Sequence, residues 1–356
     1  MPTAQTPLAD IFRRLIRSTG PISLTQYMGE SNARYYAGKD PLGAAEGGGD
    51  FITAPEISQM FGELIGLWLA DIWIRSGRGD PVHYVELGPG RGTLAKDALR
   101  AMRGYGVEPQ VHFVETSPAL KDLQRAAVPG AIWHDDLSTV PQDGPILLVA
   151  NEFCDALPIR QLVRAADGWR ERMVGLKDDE LVFVSGSQDM TAAVPKDRRD
   201  QPEGTIIETC PAAAAVMDEV AGRLADRSGA ALFIDYGYAT ARTGSTFQAV
   251  RGHAKLPPLA APGEADLTAL VDFAMLSSVA QSCGAHHCGT ITQGKWLRAM
   301  GIEARADALS KSAPHHADAI AVAMDRLIGD DQMGDLFKVM ALTGPGWPEA
   351  VGFDGP

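Results

Sequence analysis

The stretch His83–Asp97, HYVELGPGRGTLAKD, constrains this chain more than any other. A short apolar run carries Glu86 near its end. Glycine then stands at every second position, at Gly88, Gly90 and Gly92. Residues without a Cβ reach positive φ freely and let another group approach the backbone closely. From Thr93 the spacing becomes helical. The stretch therefore reads as a strand, a glycine loop and a helix. In an open parallel sheet, ligands sit at the carboxyl end of such a strand.

The same alternation continues. VHFVE (111–115), AIWH (131–134), PILLVA (145–150) and AALFIDYGY (230–238) read as further strands. A helix capped by Ser117, with Pro118 at its first position, joins two of them. Strands and helices joined by short links imply an α/β fold with a doubly wound parallel sheet and right-handed crossovers. After NEFCDALP (151–158) the pattern changes to short strands with turns at Asp167-Gly168 and Asp178-Asp179, an antiparallel insertion. Asp266 and Asp272 read as caps of a helix around LTALVDF. The expected organisation has four parts. Residues 1–80 form an N-terminal helical region, 81–160 and 205–300 the core, 160–205 the insertion, and 301–356 a C-terminal helical region.

The N-terminus reads as an amphipathic helix, with Thr6 as cap, Pro7 in the first turn and Leu8, Ile11, Phe12, Leu15 and Ile16 on one face. It lacks the apolar core of a signal peptide, and no apolar run is long enough to span a membrane. GKDPLGAAEGGGDFITAPE (38–56) is rich in Gly and Pro, and it leads into a helix marked by Thr53, Pro55 and Glu56. It reads either as a lid over a cofactor or as a surface loop. In the lid reading, Asp50 and Thr53 contact the cofactor.

With 32 Lys and Arg against 45 Asp and Glu, the net charge is −13. That field repels phosphate backbones and steers cationic groups inward, so nucleic acid is not an expected partner. Four cysteines without framework spacing fit a reducing compartment. CGAHHC (283–288) has metal-ligand residue types but no paired knuckles, so no metal site is expected.

The glycine spacing departs from the dinucleotide fingerprint, in which Thr93 would have to be the third glycine. A carboxylate two residues before Gly88 is also a poor neighbour for a pyrophosphate. It suits the sulfonium and ammonium of S-adenosylmethionine, and that cofactor is preferred over a dinucleotide. Glu86, Gly88, Gly90, Gly92 and Thr93 form the expected loop. Glu115 would accept from ribose hydroxyls, with Ser117 beside it. Asp135 and Asp136 would accept from the adenine amino group.

Several stretches occur together and in order: GDFITAPEISQMFGELIG, ELGPGRGTLAKD, VETSPALKDLQ, ANEFCDALPIRQ, FIDYGY, RGHAKLPPLAAPGEADLTALVDF and TQGKWL. The chain thereby resembles the MidA-like class I methyltransferase family over nearly its whole length. The resemblance implies a Rossmann-like fold and S-adenosylmethionine-dependent methylation of a protein arginine. The mitochondrial family members are complex I assembly factors in the matrix. By analogy, the resemblance implies a core subunit of a bacterial NADH dehydrogenase as the protein substrate, and the bacterial cytoplasm as the compartment.

A guanidinium is always protonated, so carboxylates must orient it and stabilise the charge that develops on it. Asn151, Glu152 and Asp155, after the strand ending at Ala150, are the expected source. Glu152 would bind the guanidinium and Asn151 would supply polar contacts to the cofactor. Asp155 would complete the clamp or orient the loop; both Asx residues are equally at home in a turn. His253 is a candidate proton acceptor or a structural hydrogen-bonder. Asp235-Tyr236-Gly237 reads as part of an acceptor pocket or as a satisfied strand end. Two other functions remain open at this point, a dinucleotide-dependent oxidoreductase and an assembly chaperone that binds cofactor without turnover.

Overall fold

The structure is a computed structural model, in which residues 7–38 and 52–353 are described. The chain divides into two compact units. Among the described residues, one comprises residues 7–38, 156–213 and 241–270, the other residues 52–155, 214–240 and 271–353.

The second unit carries the parallel sheet. Its main strands are β1 (His83–Leu87), β2 (Gln110–Val114), β3 (Ile132–His134), β4 (Ile146–Asn151), β5 (Gly229–Tyr238), β6 (His286–Thr292) and β7 (Phe337–Thr343), and the two-residue strand Val271–Asp272 pairs with the end of β5. Their spatial order is β6-β7-β5-β4-β1-β2-β3. From β5 to β3 every pairing is parallel, and β7 runs antiparallel to both its neighbours. All residues of β1 and β4 are buried, as a sheet covered on both faces requires. The direction of strand addition reverses between β1 and β4. The loops after these two strands therefore lie at a switch point, the place where open parallel sheets bind ligands.

The helix Gln59–Arg75 is buried through Phe61, Leu64, Ile65, Trp68 and Ile72. It packs against the helix Thr93–Arg103 at a distance only glycine permits: a Cβ on Gly66 would stand 2.2 Å from the Ala98 carbonyl oxygen. Its start differs from the expected one. A separate short helix, Ala54–Ile57, comes first, and Ser58 caps the longer helix by accepting from the Met60 N–H. Thr53 occupies the cap position of the short helix, but its hydroxyl makes no capping hydrogen bond.

The first unit contains the helices Leu8–Thr19 and Leu24–Gly38 and two antiparallel sheets. Gly168–Lys177 is the spine of the larger sheet, pairing with Ile22–Ser23, Arg160–Ala165 and Glu180–Ser185. Phe12, Tyr27, Val174, Ala249 and Leu267 share its core.

The units cut across the boundaries expected from sequence. Residues 52–80 belong with the parallel sheet, because their long helix is buried there. Ile206–Thr209 pairs with Arg160–Ala165 in the antiparallel sheet and not in the core. Residues 241–270 form a three-stranded sheet in the first unit. The C-terminal region is not wholly helical, since β7 inserts between β5 and β6. Asp272 caps the helix Phe273–Ser282, whereas Asp266 lies in a strand and accepts from the Tyr36 hydroxyl.

Candidate active site

The glycine loop has left-handed backbone at each alternate residue, with φ of 60° at Gly88, 52° at Gly90 and 80° at Gly92. A Cβ on Gly88 would stand 2.9 Å from the Phe153 ring. The loops after β1 and β4 thus touch at a point where only glycine fits. Gly92 directly precedes the helix Thr93–Arg103. The Thr93 hydroxyl donates to Glu56 Oε1 at 2.5 Å. Glu86 is buried in β1 and accepts from the Tyr84 hydroxyl at 2.6 Å. Burial pushes its carboxyl up to about 7, against the pull of that hydrogen bond.

At the end of β2, Glu115 Oε1 accepts from the Ser117 N–H at 2.7 Å, and Oε2 accepts from Gln124 Nε2 at 3.2 Å. Ser117 caps the helix Pro118–Ala127. Asp135 and Asp136 follow β3 and are both exposed. Asp135 pairs with Lys121 at 2.9 Å. Asp136 caps a short turn through the Ser138 N–H at 2.8 Å, and the Ser138 contacts hold its carboxyl below the usual range. Local capping thus occupies Oδ1 of Asp136.

The loop after β4 begins with Asn151 and Glu152. Glu152 has φ of 50°, a conformation non-glycine residues seldom adopt and one that clusters at functional sites. Its Oε1 accepts from the Ala54 N–H at 2.9 Å and from Asn151 Nδ2 at 3.2 Å. Asn151 Oδ1 is buried and accepts no hydrogen bond among the described residues. Asp235, at the end of β5, holds the remainder of the loop. Its Oδ2 accepts from the N–H groups of Phe153 (3.2 Å), Cys154 (2.9 Å) and Asp155 (3.2 Å), and its Oδ1 from that of Tyr236 (2.8 Å). Burial raises this carboxyl to about 7, while the four N–H groups favour its ionised form.

Asn151, Glu152, Asp155, Thr53, Glu86, the three glycines, Thr93, Glu115 and Ser117 all lie in the second unit. His253 belongs to the first. It occupies an exposed hairpin turn with Gly252, and both residues have positive φ, 60° and 56°. That is the backbone of a type I′ turn, a sufficient local reason for the residue's placement. Asp50 lies outside the described residues.

Sequence reasoning missed Gln124, which joins the glycine loop to Glu115, because no local pattern marks it. It also missed His83, His112 and His134. One histidine in each of three consecutive strands was a readable signal.

These groups fit S-adenosylmethionine. The loop backbone is open to close approach, Glu86 is a carboxylate that a cation would ionise, and Glu115 keeps acceptor capacity. Asn151 Oδ1 needs a donor. A family model for S-adenosyl-L-methionine-dependent methyltransferases matches residues 64–291. The protein arginine methyltransferase NDUFAF7, mitochondrial, of Xenopus laevis is 36% identical, covering 92% of this chain and 82% of its own length. Its Homo sapiens counterpart is 35% identical, covering 95% and 84%. A crystal structure from Burkholderia thailandensis, bound to S-adenosyl-homocysteine, has a TM-score of 0.82 at 30% identity, covering 97% of this chain and 94% of that one. The chain therefore belongs to the S-adenosyl-L-methionine-dependent methyltransferase family, with a class I fold and S-adenosyl-L-methionine as its cofactor.

Proposed function

We propose that the chain methylates an arginine of a protein partner and that Glu152 binds the guanidinium. The observation that carries this reading is the pair Asn151-Glu152 at the switch point. Glu152 is held there in a strained backbone conformation, with Oε1 fixed by two N–H donors. A fixed carboxylate can orient a planar cation better than a mobile one. When bound, the cofactor supplies an electrophilic methyl group to one guanidinium nitrogen. Glu152 orients that nitrogen and stabilises the positive charge that develops on it. The proton displaced from the methylated nitrogen passes to the Glu152 carboxylate. Asn151 Oδ1 accepts from a cofactor N–H, and Asp155 holds the loop. Glu86 faces the cationic end of the cofactor, Glu115 its ribose, and Thr53 and Thr93 the loop entrance.

The relatives' names favour a protein arginine as acceptor, and the net charge of −13 favours a cationic segment. The family resemblance favours a core subunit of NADH dehydrogenase as the partner, met in the bacterial cytoplasm. The test uses that subunit, labelled S-adenosyl-L-methionine and mass spectrometry of the modified peptides. Wild type should label an arginine. Glu152→Gln should bind the cofactor with wild-type affinity and label at least about a hundredfold more slowly. Label on another residue type would remove the arginine reading, and undiminished labelling by Glu152→Gln would remove the clamp.

A further inference from the structure

We propose that Gln124 is a positioning residue that sets the enzyme's preference for a ribose over a 2′-deoxyribose. The inference rests on the reading that Glu115 binds the cofactor's ribose.

Gln124 lies on the helix Pro118–Ala127 and is fully buried. Its orientation follows from chemistry. The Trp133 indole N–H can only donate, and it meets Gln124 Oε1 at 2.8 Å. The oxygen of the amide must therefore face Trp133, and Nε2 must face the other way. There its two hydrogens find two acceptors, the Gly90 carbonyl oxygen at 2.8 Å and Glu115 Oε2 at 3.2 Å. One amide thus ties together the middle glycine of the loop, the carboxylate after β2 and the indole on β3.

The consequence lies in the lone pairs of Glu115. An ionised carboxylate offers about four acceptor sites, two on each oxygen. The Ser117 N–H fills one on Oε1, and Gln124 fills one on Oε2. One site remains on each oxygen, which is what a vicinal diol needs in order to donate twice. Ser117 alone would hold only one end of the carboxylate and leave it free to rotate about that contact. With Gln124 in place, the carboxylate is fixed before the ligand arrives, so ordering it costs the ligand little.

The experiment is calorimetric titration with S-adenosylhomocysteine and its 2′-deoxy analogue. The proteins are wild type, Gln124→Met, Trp133→Phe and Glu115→Ala, each checked for folding by circular dichroism. The quantity read is the ratio of the two affinities. Wild type should prefer the ribose by at least about tenfold, the usual cost of one lost hydrogen bond to a charged group. Gln124→Met should bring the ratio close to one, mainly by weakening the ribose ligand. Trp133→Phe frees the amide to turn over and should lower the ratio part of the way, so it carries the test if Gln124→Met fails to fold. A merely structural role for Gln124 would weaken both ligands equally and leave the ratio at the wild-type value. That result overturns the proposal. If Glu115→Ala also keeps the wild-type ratio, the fault lies in the assignment of Glu115 to the ribose. If Glu115→Ala abolishes the preference while the other two folded variants retain it, the fault lies with Gln124.

Discussion

A chain of three buried histidines should give the folded state a pH dependence that one substitution removes. His83 Nε2 lies 2.9 Å from Asp143 Oδ1, and its Nδ1 lies 3.1 Å from His112 Nε2. His112 Nδ1 lies 3.0 Å from His134 Nε2, and His134 Nδ1 lies 2.8 Å from Thr139 Oγ1. A carboxylate oxygen accepts, so the hydrogen shared with Asp143 sits on His83 Nε2. Each following ring is then the neutral Nε2–H form, donating up the chain and accepting from below. A second proton on the middle ring would set donor against donor. Burial first, and then the two neighbouring imidazoles, push His112 down to about 4 from an ordinary value of 6.5. Between these values the unfolded chain binds a proton that the folded chain refuses. The resulting stability is fully present above about pH 6.5 and is lost as pH falls towards 4, a total of about 3 kcal/mol. About 2 kcal/mol of it disappears between pH 7 and pH 5. Burial lowers His134 as well, in the same direction. Glu86 acts with the opposite sign. Its value is raised from 4.5 to about 7, so the fold keeps a proton that the unfolded chain releases, and stability rises by about 2 kcal/mol over the same fall in pH. Asp235, raised from 3.8 to about 7, acts in the same sense as Glu86, so the two carboxyls mask the histidine in wild type and a variant is needed to separate it. His112→Gln keeps a donor and an acceptor but does not titrate. In urea denaturation of cofactor-free protein, its stability relative to wild type should improve by about 2 kcal/mol from pH 7 to pH 5. A difference that stays constant with pH would refute the neutral chain.

Three other changes probe the site directly. Gly88→Ala places a Cβ 2.9 Å from the Phe153 ring at a φ of 60°, so cofactor affinity should fall at least about tenfold in a folded protein; unchanged calorimetric affinity would remove the loop from the site. Asp235→Asn replaces the carboxyl that accepts from four N–H groups, and even its best rotamer turns an amide NH2 towards one of them. It should cost about 2–4 kcal/mol in denaturation and lower kcat more than cofactor affinity; wild-type stability would contradict the anchoring role. Glu86, near half-protonation at pH 7, should release a fraction of a proton when a cationic cofactor binds. Calorimetry in buffers of different ionisation enthalpy should show that release in wild type and none in Glu86→Gln.

The parts of the fold legible in the sequence were those decided within a few residues. The glycine spacing after β1 marked a loop of close backbone approach, and all three glycines there are left-handed. Ser117 and Pro118 marked a helix start, and Asp178-Asp179 marked a turn that the structure makes with φ of 50° and 68°. Features that depend on distant pairings were not legible. Ile206–Thr209 has the composition of a core strand, and only its pairing with Arg160–Ala165 assigns it to the other sheet. Gln124 is an ordinary helical residue until Trp133 fixes its amide. The place of His253 in a two-residue turn shows only once Arg251 pairs with Ala254.

The acids at the strand ends show why residue type alone misjudges a site. Glu86, Glu115, Asp136 and Asp235 each follow or close a core strand, and in sequence they are interchangeable candidates. Their roles separate by how many donors the protein already supplies. Asp235 receives four N–H groups and is an anchor for the loop it holds. Asp136 is engaged by the Ser138 N–H and hydroxyl, two residues along the chain. Glu86 has one phenolic donor in a buried setting, so its charge depends on what binds beside it. Glu115 has two donors, one on each oxygen, and keeps two sites for a ligand. A carboxylate is available to a ligand in proportion to the acceptor sites the fold leaves unfilled. By that measure Asp235 is part of the frame, while Glu86, Glu115 and Asp136 keep acceptor capacity.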